Sequence, residues 1–427
     1  MCRIKKNDFT ILFAFFIAFA CLASHALQAR AQTLSDRIAA LLSSKQLAGA
    51  QVAIDMRELV PTGSQEVYSL HPDLPLMPGS NAKVLTTAAA FDRFGADYDL
   101  PTRLYIVGND LVVVGGGDPA LGDPVLSQYV GWKPTTPFEI WAGILKKKGL
   151  THFDNLYIDD SIFDHQFTNP LWPSGQSSDW YEAPVGGLNY SLNVKPTPGN
   201  ADGTAVDDPG LYAGSAIWQT FTANGITFDG QLLRGSLTQL DASGQAKPLA
   251  TFETPLPAIL RRAHTDSINL MAEALCKLLG HDATGRPGSW ADGIAAIQAY
   301  LKSLGISQDM VTLADGSGLS HSDRIAPEAL TMVLAHIASE PDAAVYINSM
   351  ARPGSGTLIH RFIGSPAARD IYAKDGHITG ASTLCGYLFV DGRKFVFSVM
   401  VNHYHGNVNS WEDQVVTALY FAASGKP

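Results

Sequence analysis

The sequence predicts an α/β (α+β) protein whose helical parts are separated by a long β-rich stretch. Apolar residues recur at helical spacing before residue 95 and again after residue 255. Between about residues 104 and 249, short β-like runs alternate with clusters of Gly, Pro, Asn and Asp, which is typical of strands joined by turns. Near the C-terminus, the Asp391-Gly392 turn between two apolar runs favours an antiparallel hairpin.

The individual elements follow in order from these local patterns. The sequence predicts a helix over residues 34–45, strands over Gly49–Met56 and Glu66–Leu70, and a helix that opens at Ser80 and ends at Gly95. The later predicted strands are Asp110–Val114, Asn155–Asp159, Gly386–Val390 and Lys394–Val401. The later predicted helices are Leu256–Leu279, Trp290–Leu304, Pro327–Ala338 and Trp411–Ala423.

The composition is that of a globular protein. Of the 427 residues, 46% are hydrophobic and 16% are charged, so the chain can bury more than one core, and its length favours two or three domains. The formal net charge of −10 excludes a broad basic surface that could neutralise a phosphate backbone. We therefore do not expect nucleic acid as a partner.

The N-terminus has the layout of an export signal. Basic residues precede an apolar run over Phe9–Ala23, and the small-x-small sequence Ala29-Arg30-Ala31 follows. We expect cleavage after Ala31, which makes residues 1–31 a signal peptide and the mature protein periplasmic. The apolar run is shorter than the roughly 20 residues that a membrane-spanning helix needs, so no transmembrane segment is expected after cleavage.

The cysteines bear on two smaller questions. A lipoprotein anchored through Cys21 is a weaker alternative, because Phe19 stands where a small residue is expected. Cleavage leaves Cys276 and Cys385, which could pair in an oxidising compartment. Their apolar surroundings favour two buried free thiols instead.

The first of three short motifs is Ser80-Asn81-Ala82-Lys83, at the predicted start of a helix. Residues three apart share a helix face, so the lysine amine can reach the serine hydroxyl. A neutral lysine could take the proton of that hydroxyl, and the N–H groups of the helix start could stabilise an oxyanion. Alone, such a serine is more often an N-cap and the lysine is more often solvated.

The other two motifs lie far along the chain. Ser267-Ile268-Asn269 offers a hydroxyl for proton relay and an amide that can hold a carbonyl. Lys374-Asp375-Gly376, followed by His377, offers a fixed cation and a strand backbone against which a ligand can lie. Each alone is better explained by a turn or a helix cap. Together with the first motif and in this order, they match the Ser-x-x-Lys, Ser-Asp-Asn and Lys-Thr-Gly set of serine β-lactamases and penicillin-binding proteins.

The flanking sequence resembles the D-alanyl-D-alanine carboxypeptidase/endopeptidase family, the low-molecular-mass class C penicillin-binding proteins. The resemblance covers nearly all of the chain that follows the predicted signal peptide. The matching segments are Pro78–Val84, Gly116–Leu121, Tyr181–Asn189, Ser267–Leu275, Asp315–Ser320 with Pro327, and Gly356–Leu358 with Arg361.

The resemblance implies a role for each motif residue. Ser80 would be the nucleophile of an acyl-enzyme, Lys83 its base, and Ser267 and Asn269 the proton relay and the substrate positioner. Lys374 would bind the substrate carboxylate and help to keep Lys83 neutral. The backbone N–H groups of Ser80 and His377 would form the oxyanion hole, and the expected substrate-binding strand comprises Lys374, Asp375, Gly376 and His377.

The same resemblance implies the partners. The substrate would be a peptidoglycan stem peptide ending in D-Ala-D-Ala, or a D-alanyl cross-link, and β-lactams would acylate the same serine. No cofactor and no metal is required. His403-Tyr404-His405 and the acidic group near Asp159 lack a recognised metal-ligand spacing, so polar loops explain them better. The sequence leaves the oligomeric state open.

Two positions depart from the family pattern. Asp375 stands where the family has Thr, and a carboxylate there can repel a substrate carboxylate. Ile268 replaces the middle Asp of the second motif, which is a milder change. Two other functions therefore remain open: a serine β-lactamase or esterase, and a catalytically impaired peptidoglycan-binding homologue.

The spacing of the motifs predicts a discontinuous catalytic domain. Ser80 and Ser267 must meet in one site, yet more sequence separates them than a typical whole domain contains. We expect a serine β-lactamase/DD-peptidase-like catalytic domain, with an antiparallel sheet and flanking helices, formed by residues 32–99 and 253–427. Residues 100–252, called the middle unit below, are the expected insert and should be mostly β.

Overall fold

The computed structural model describes residues 34–425, so the expected signal peptide lies outside the described residues. The helices are α1 (residues 34–42), α2 (Ala82–Phe94), α3 (Pro124–Tyr129), α4 (Thr136–Lys147), α5 (Pro209–Ala223), α6 (Leu237–Leu240), α7 (Leu256–Thr265), α8 (Asn269–Thr284), α9 (Trp290–Ser303), α10 (Pro327–Ser339), α11 (Ala343–Ser349) and α12 (Asn409–Ser424). Within this part of the chain, no helix is both long enough and apolar enough to cross a bilayer.

The strands form two five-stranded sheets and three short pairs. They are β1 (Gln51–Val60), β2 (Gly63–Leu70), β3 (Asp99–Val107), β4 (Asp110–Gly115), β5 (His152–Phe153), β6 (Leu156–Asp159), β7 (Val194–Thr197), β8 (Asn200–Ala205), β9 (Thr227–Phe228), β10 (Leu232–Arg234), β11 (Ala250–Pro255), β12 (Val311–Thr312), β13 (Arg324–Ile325), β14 (Ile371–Ile378), β15 (Ala381–Val390) and β16 (Arg393–Asn402).

The first sheet has the order β14-β15-β16-β1-β2 and is antiparallel throughout. The predicted hairpin is present, because β15 and β16 are joined at Asp391-Gly392 and pair along their length. Nearly every residue of β15 is buried, since helices cover both faces of the sheet. The strand that carries Lys374, β14, lies at the edge of the sheet, where a single antiparallel bridge joins Ala373 to Ala351 on its outer side.

Helices form a layer on each face of this sheet. One face packs on a core that includes residues of α2, α7, α8, α9 and α10, and the other packs on α1 and α12. Cys276 and Cys385 are both buried free thiols, which agrees with the favoured prediction. The mixed architecture and its antiparallel sheet confirm the predicted fold class.

The middle unit has its own sheet and its own core. Its sheet has the order β10-β6-β4-β3-β11, so the strand on which the chain enters pairs with the strand on which it leaves. Its core packs aromatic side chains such as Phe138, Trp141 and Phe221. The unit is less purely β than expected, because all three of these residues lie on helices: Phe138 and Trp141 on α4, and Phe221 on α5.

Local capping explains two of these unpredicted helices. The side chains of Asp123 and Asp208 accept backbone N–H bonds at the starts of α3 and α5, and each is followed by proline at the first helical position. The sequence analysis assigned the Pro and Asp clusters of this stretch to turns between strands. At these two positions an Asp-Pro pair begins a helix instead.

The helix predicted over Leu256–Leu279 is broken in the structure. It divides into α7 and α8, and Ser267 between them has a φ of 59°, in the left-handed region that a serine seldom adopts. The backbone N–H of Ile268 donates to the carbonyl of Arg262 across the break. The interruption presents the second motif at the N-terminal end of α8 rather than along a continuous helix.

A buried ion pair links the middle unit to α7. Arg262 donates to Asp123 over 2.8 Å and also to Asp266, and the side chains of Arg262 and Asp123 are 5% and 0% exposed. Removing one partner of a buried pair leaves an unpaired charge, which is strongly destabilising.

We expect Arg262→Leu to lower the free energy of unfolding by about 3–5 kcal/mol, because it leaves the Asp123 carboxylate buried and unpaired. Urea denaturation followed by circular dichroism measures the change. The neighbouring Arg261→Leu is the matched control, since Arg261 is exposed and contacts Tyr129 at the surface. Equal midpoints for the two variants would contradict a structural role for the pair.

Candidate active site

The candidate nucleophile lies on a tight turn ahead of α2. Ser80 is in the 3-10 turn Gly79–Asn81, one turn earlier than the α-helix proper. Gly79 has a φ of 50°, and a Cβ atom there would lie 3.0 Å from the backbone nitrogen of His377. The nucleophile turn therefore packs directly against the end of β14, and glycine permits this approach.

A second contact holds the turn to the sheet. A Cβ atom on Gly376 would lie 2.4 Å from the carbonyl oxygen of Pro78, so only glycine fits at this position of β14. The Thr383 hydroxyl on β15 donates to the same Pro78 carbonyl over 2.6 Å. These contacts fix Ser80 relative to Gly376 and His377, two residues of the predicted substrate-binding strand.

The Lys83 amine is the centre of the arrangement. Its Nζ lies 2.8 Å from Ser80 Oγ, 2.6 Å from Asn269 Oδ1 and 3.1 Å from the carbonyl oxygen of Ser317, and the side chain is fully buried. Two of these partners can only accept hydrogen bonds, whereas the serine hydroxyl can donate one. A neutral amine has two N–H groups and one lone pair, so it satisfies this set with Ser80 as the donor.

The electrostatic surroundings favour that neutral form. Burial, and then the charge of Lys374, lowers the pKa of Lys83 to about 7, while Glu273, Asp315 and Asp375 oppose part of the shift. At neutral pH a large fraction of the amine is therefore able to accept a proton.

Asn269 links the site to the middle unit. Its Nδ2 donates to the carbonyl oxygen of Tyr181 over 2.8 Å, which fixes the amide orientation and directs Oδ1 to Lys83. Ser267 precedes Asn269 by two residues, at the break between α7 and α8. Among the described residues, the Ser267 side chain has no hydrogen-bond partner, so its hydroxyl is free to bond a ligand.

Two buried carboxylates hold the loop over residues 315–318, which carries the Ser317 carbonyl that Lys83 contacts. Glu273 accepts from the backbone N–H groups of Gly316 and Ser317, and Asp315 accepts from those of Ser317 and Gly318. These bonds hold the loop that carries the Ser317 carbonyl. A Cβ atom on Gly318 would lie 1.8 Å from the carbonyl oxygen of Gly79, so the loop also supports the nucleophile turn.

The Lys374 ammonium group is buried and hydrogen-bonded to Asp375, the next residue in the chain. Its Nζ donates to the backbone carbonyl and, over 3.1 Å, to the carboxylate of Asp375. Burial acts to raise the pKa of Asp375, but Lys374, the nearby hydroxyl of Thr357 and the charge of Arg361 together lower it to about 2. Asp375 is therefore ionised, and it compensates the charge that was expected to bind a substrate carboxylate.

The structure brings together the predicted residues from all three motifs and adds partners that the sequence analysis missed. The missed groups are the carbonyls of Tyr181 and Ser317, the Glu273 carboxylate and the Thr383 hydroxyl. Their segments were recognised, but backbone carbonyls have no residue-type signal. Glu273 was detectable in principle, as a carboxylate among the apolar residues that follow the second motif.

The family of the chain follows from a comparison with sequence-family models. The model of the D-Ala-D-Ala carboxypeptidase 3 (S13) family matches residues 34–197 and 197–420. The chain belongs to this family. As a member it is a serine-type D-Ala-D-Ala carboxypeptidase, which confirms the resemblance found in the sequence.

Individual relatives agree with this assignment. The D-alanyl-D-alanine carboxypeptidase of Actinomadura sp. (strain R39) is 25% identical over 88% of this chain and 82% of its own length. The crystal structure of penicillin binding protein 4 (dacB) from Haemophilus influenzae has a TM-score of 0.75 at 22% identity and covers 90% of this chain and 98% of that chain. The same protein complexed with a β-lactam has a TM-score of 0.71 at 21% identity, with coverages of 90% and 99%.

We expect the acylation rate by a β-lactam to rise with pH through about 7 and then level off, because Lys83 must be neutral to accept the serine proton. Lys374→Met removes the nearby cation and should move the midpoint to higher pH. Stopped-flow acylation across a pH series measures the midpoint. Lys394→Met, at an exposed position of β16, is the control and should leave the midpoint unchanged. If the wild type and both variants share one midpoint, this account of the Lys83 pKa is wrong.

Proposed function

We propose that this S13-family carboxypeptidase uses Ser80 as its nucleophile and Lys83 as the base, and releases D-Ala from peptidoglycan stem peptides in the periplasm. The observation that carries the proposal is the set of three Lys83 contacts, which suits a neutral amine that accepts a proton from Ser80. A D-alanyl cross-link offers the same type of scissile bond and is a second possible substrate. β-lactams would acylate the same serine.

The proposed reaction proceeds in two steps through an ester. Ser80 Oγ attacks the carbonyl carbon of the penultimate D-Ala while its proton passes to Lys83 Nζ. The oxyanion is stabilised by the backbone N–H groups of Ser80 and His377. The Ser267 hydroxyl gives its proton to the leaving amine, which departs as D-Ala, and takes the proton held by Lys83, so the lysine is neutral again. Water then attacks the ester while its proton passes to Lys83 and from there to Ser80 Oγ, which releases the shortened peptide and restores both residues.

Asp375 limits how well a free C-terminal carboxylate can bind. The family pattern has a hydroxyl here beside an available lysine, whereas this chain has a carboxylate already bonded to Lys374. A substrate carboxylate must compete with Asp375 for that ammonium group and approach a second negative charge. This favours, as the alternative function, a β-lactam-binding homologue with weak turnover.

Intact-mass analysis tests the nucleophile. We expect the mature protein to gain the mass of one penicillin and to release D-Ala from a muropeptide ending in D-Ala-D-Ala, while Ser80→Ala does neither. An adduct without D-Ala release would favour the impaired homologue, and rapid penicillin hydrolysis would favour a β-lactamase. A folded wild-type protein with neither adduct nor release would exclude Ser80 as a working nucleophile.

A substitution series tests the role of Asp375. Two peptides are compared, one ending in a free carboxylate and the same peptide with a terminal amide. We expect Asp375→Thr to raise the ratio of their kcat/KM values, carboxylate over amide, by roughly tenfold, or about 1.4 kcal/mol. Asp375→Asn, which removes only the charge, should give part of the increase. An unchanged ratio in both variants would show that Asp375 does not affect carboxylate recognition.

A further inference from the structure

A groove of about 600 Å³ lies on the middle unit, outside the residues assigned above to the reaction. Its lining includes Pro124, Trp180, Ser191, Leu192, Asn200 and Asp202. The Trp180 side chain is 37% exposed, which is unusual for a tryptophan in a folded protein.

Two walls of the groove are attached to the second motif. Trp180 directly precedes Tyr181, whose carbonyl accepts the hydrogen bond from Asn269. On the other wall, Pro124 directly follows Asp123, which is bonded to Arg262. Arg262 in turn bonds Asp266, the residue before Ser267, so the groove adjoins the side of the site formed by the second motif.

The wall between these points has a constrained backbone. Ser191, Leu192 and Asn193 are three consecutive non-glycine residues with φ values of 49°, 60° and 56°. Residues in this region carry a conformational cost and persist only where their surroundings hold them there, and such strain is concentrated at binding sites. The buried amide of Asn193 supplies the enforcement by donating to Pro184 and Asn189 over 2.7 Å each and accepting from the Tyr190 N–H.

The chemistry of the lining selects a neutral ligand. Of the described residues that line the groove, Asp202 alone is charged, which disfavours an anionic polymer. An exposed indole ring and proline rings offer flat apolar surface to the C–H faces of a sugar. The Thr197 and Ser191 hydroxyls and the Asn200 amide are polar groups beside this apolar surface that suit sugar hydroxyl and acetamide groups.

We propose that this groove binds the N-acetylated sugars of the glycan strand to which the stem peptide is attached. The inference rests on the proposed function, since the stem peptide then links a sugar to the scissile bond at Ser80. The four peptide residues between the sugar and the scissile bond span at most about 14 Å when extended. A sugar-binding groove must therefore lie close to the active site. The groove lies on the middle unit and adjoins the second motif. Lys374 on β14 belongs to the other side of the site, which is expected to hold the leaving group, so the groove is placed to receive the opposite end of the substrate.

Filling the groove tests the proposal without changing Trp180. Ala201 is exposed and lines the groove, so Ala201→Trp should obstruct it, while Ala242→Trp, at an exposed position in another loop of the middle unit, is the matched control. We measure kcat/KM for D-Ala release from a disaccharide-linked pentapeptide and from the free pentapeptide. We expect the ratio of the two values to fall at least tenfold in Ala201→Trp and to stay at the wild-type value in Ala242→Trp.

The outcomes separate this proposal from the proposed function. If the wild type does not favour the disaccharide-linked peptide, or if Ala201→Trp loses activity on both substrates alike, glycan binding in the groove is overturned; the second outcome would indicate a peptide occupant. If neither substrate releases D-Ala, the proposed function fails. Glycan binding is then measured by nuclear magnetic resonance titration with N-acetylglucosamine tetramer. We expect Trp180→Phe to weaken this binding. Trp132→Phe is the control and should leave it unchanged, because Trp132 is similarly exposed but lies outside the groove.

Discussion

The buried amine of Lys83 is the constraint on which the rest of the site depends. An amine without access to water needs partners for its hydrogen-bonding groups, and it stays neutral near pH 7 only where burial and another cation disfavour its charge. The chain meets both needs with residues from distant segments: Asn269 and Ser317 accept its N–H groups, and Lys374 supplies the cation. Ser80 is left as the one partner that can donate a proton.

This requirement explains why the middle unit is integrated with the catalytic sheet rather than merely attached to it. Its residues reach the site from two directions. The Tyr181 carbonyl fixes the orientation of Asn269, and the Trp172 indole donates to Asp315, which holds the loop that presents the Ser317 carbonyl. Lys277, on the same helix α8 as Asn269, donates a hydrogen bond to the carboxylate of Asp164 in the middle unit. A change in the middle unit can therefore alter the surroundings of Lys83, the proposed base, without contacting it.

The sequence predicted much of this arrangement and failed in understandable places. Ser80 and Lys83 were identifiable because three motifs occur together in the order of a known family; the Ser-x-x-Lys spacing alone is more often a helix cap and a solvated lysine. The C-terminal hairpin was predicted because Asp391-Gly392 is a strong local turn signal. The break at Ser267 was missed because apolar residues continue near helical spacing on both sides of it. In the structure it coincides with a left-handed Ser267 and a backbone bond from the Ile268 N–H to the Arg262 carbonyl, which a single sequence does not show. The Tyr181 and Ser317 carbonyls were missed because every residue has a carbonyl, and only the fold selects which one is used.

Asp375 shows how one substitution can affect two functions of a lysine. The charge of Lys374 acts at a distance on the pKa of Lys83, and its proposed second role is to contact a substrate carboxylate. A neighbouring carboxylate weakens the second effect strongly, because it occupies the ammonium group directly. It weakens the first effect less, because the charge of Lys374 lowers the pKa of Lys83 more than the charge of Asp375 raises it. On the proposed mechanism, an Asp at position 375 leaves the activation of Ser80 by Lys83 largely in place while it weakens the binding of a free carboxylate, so acylation chemistry and substrate choice depend on different contacts of one strand.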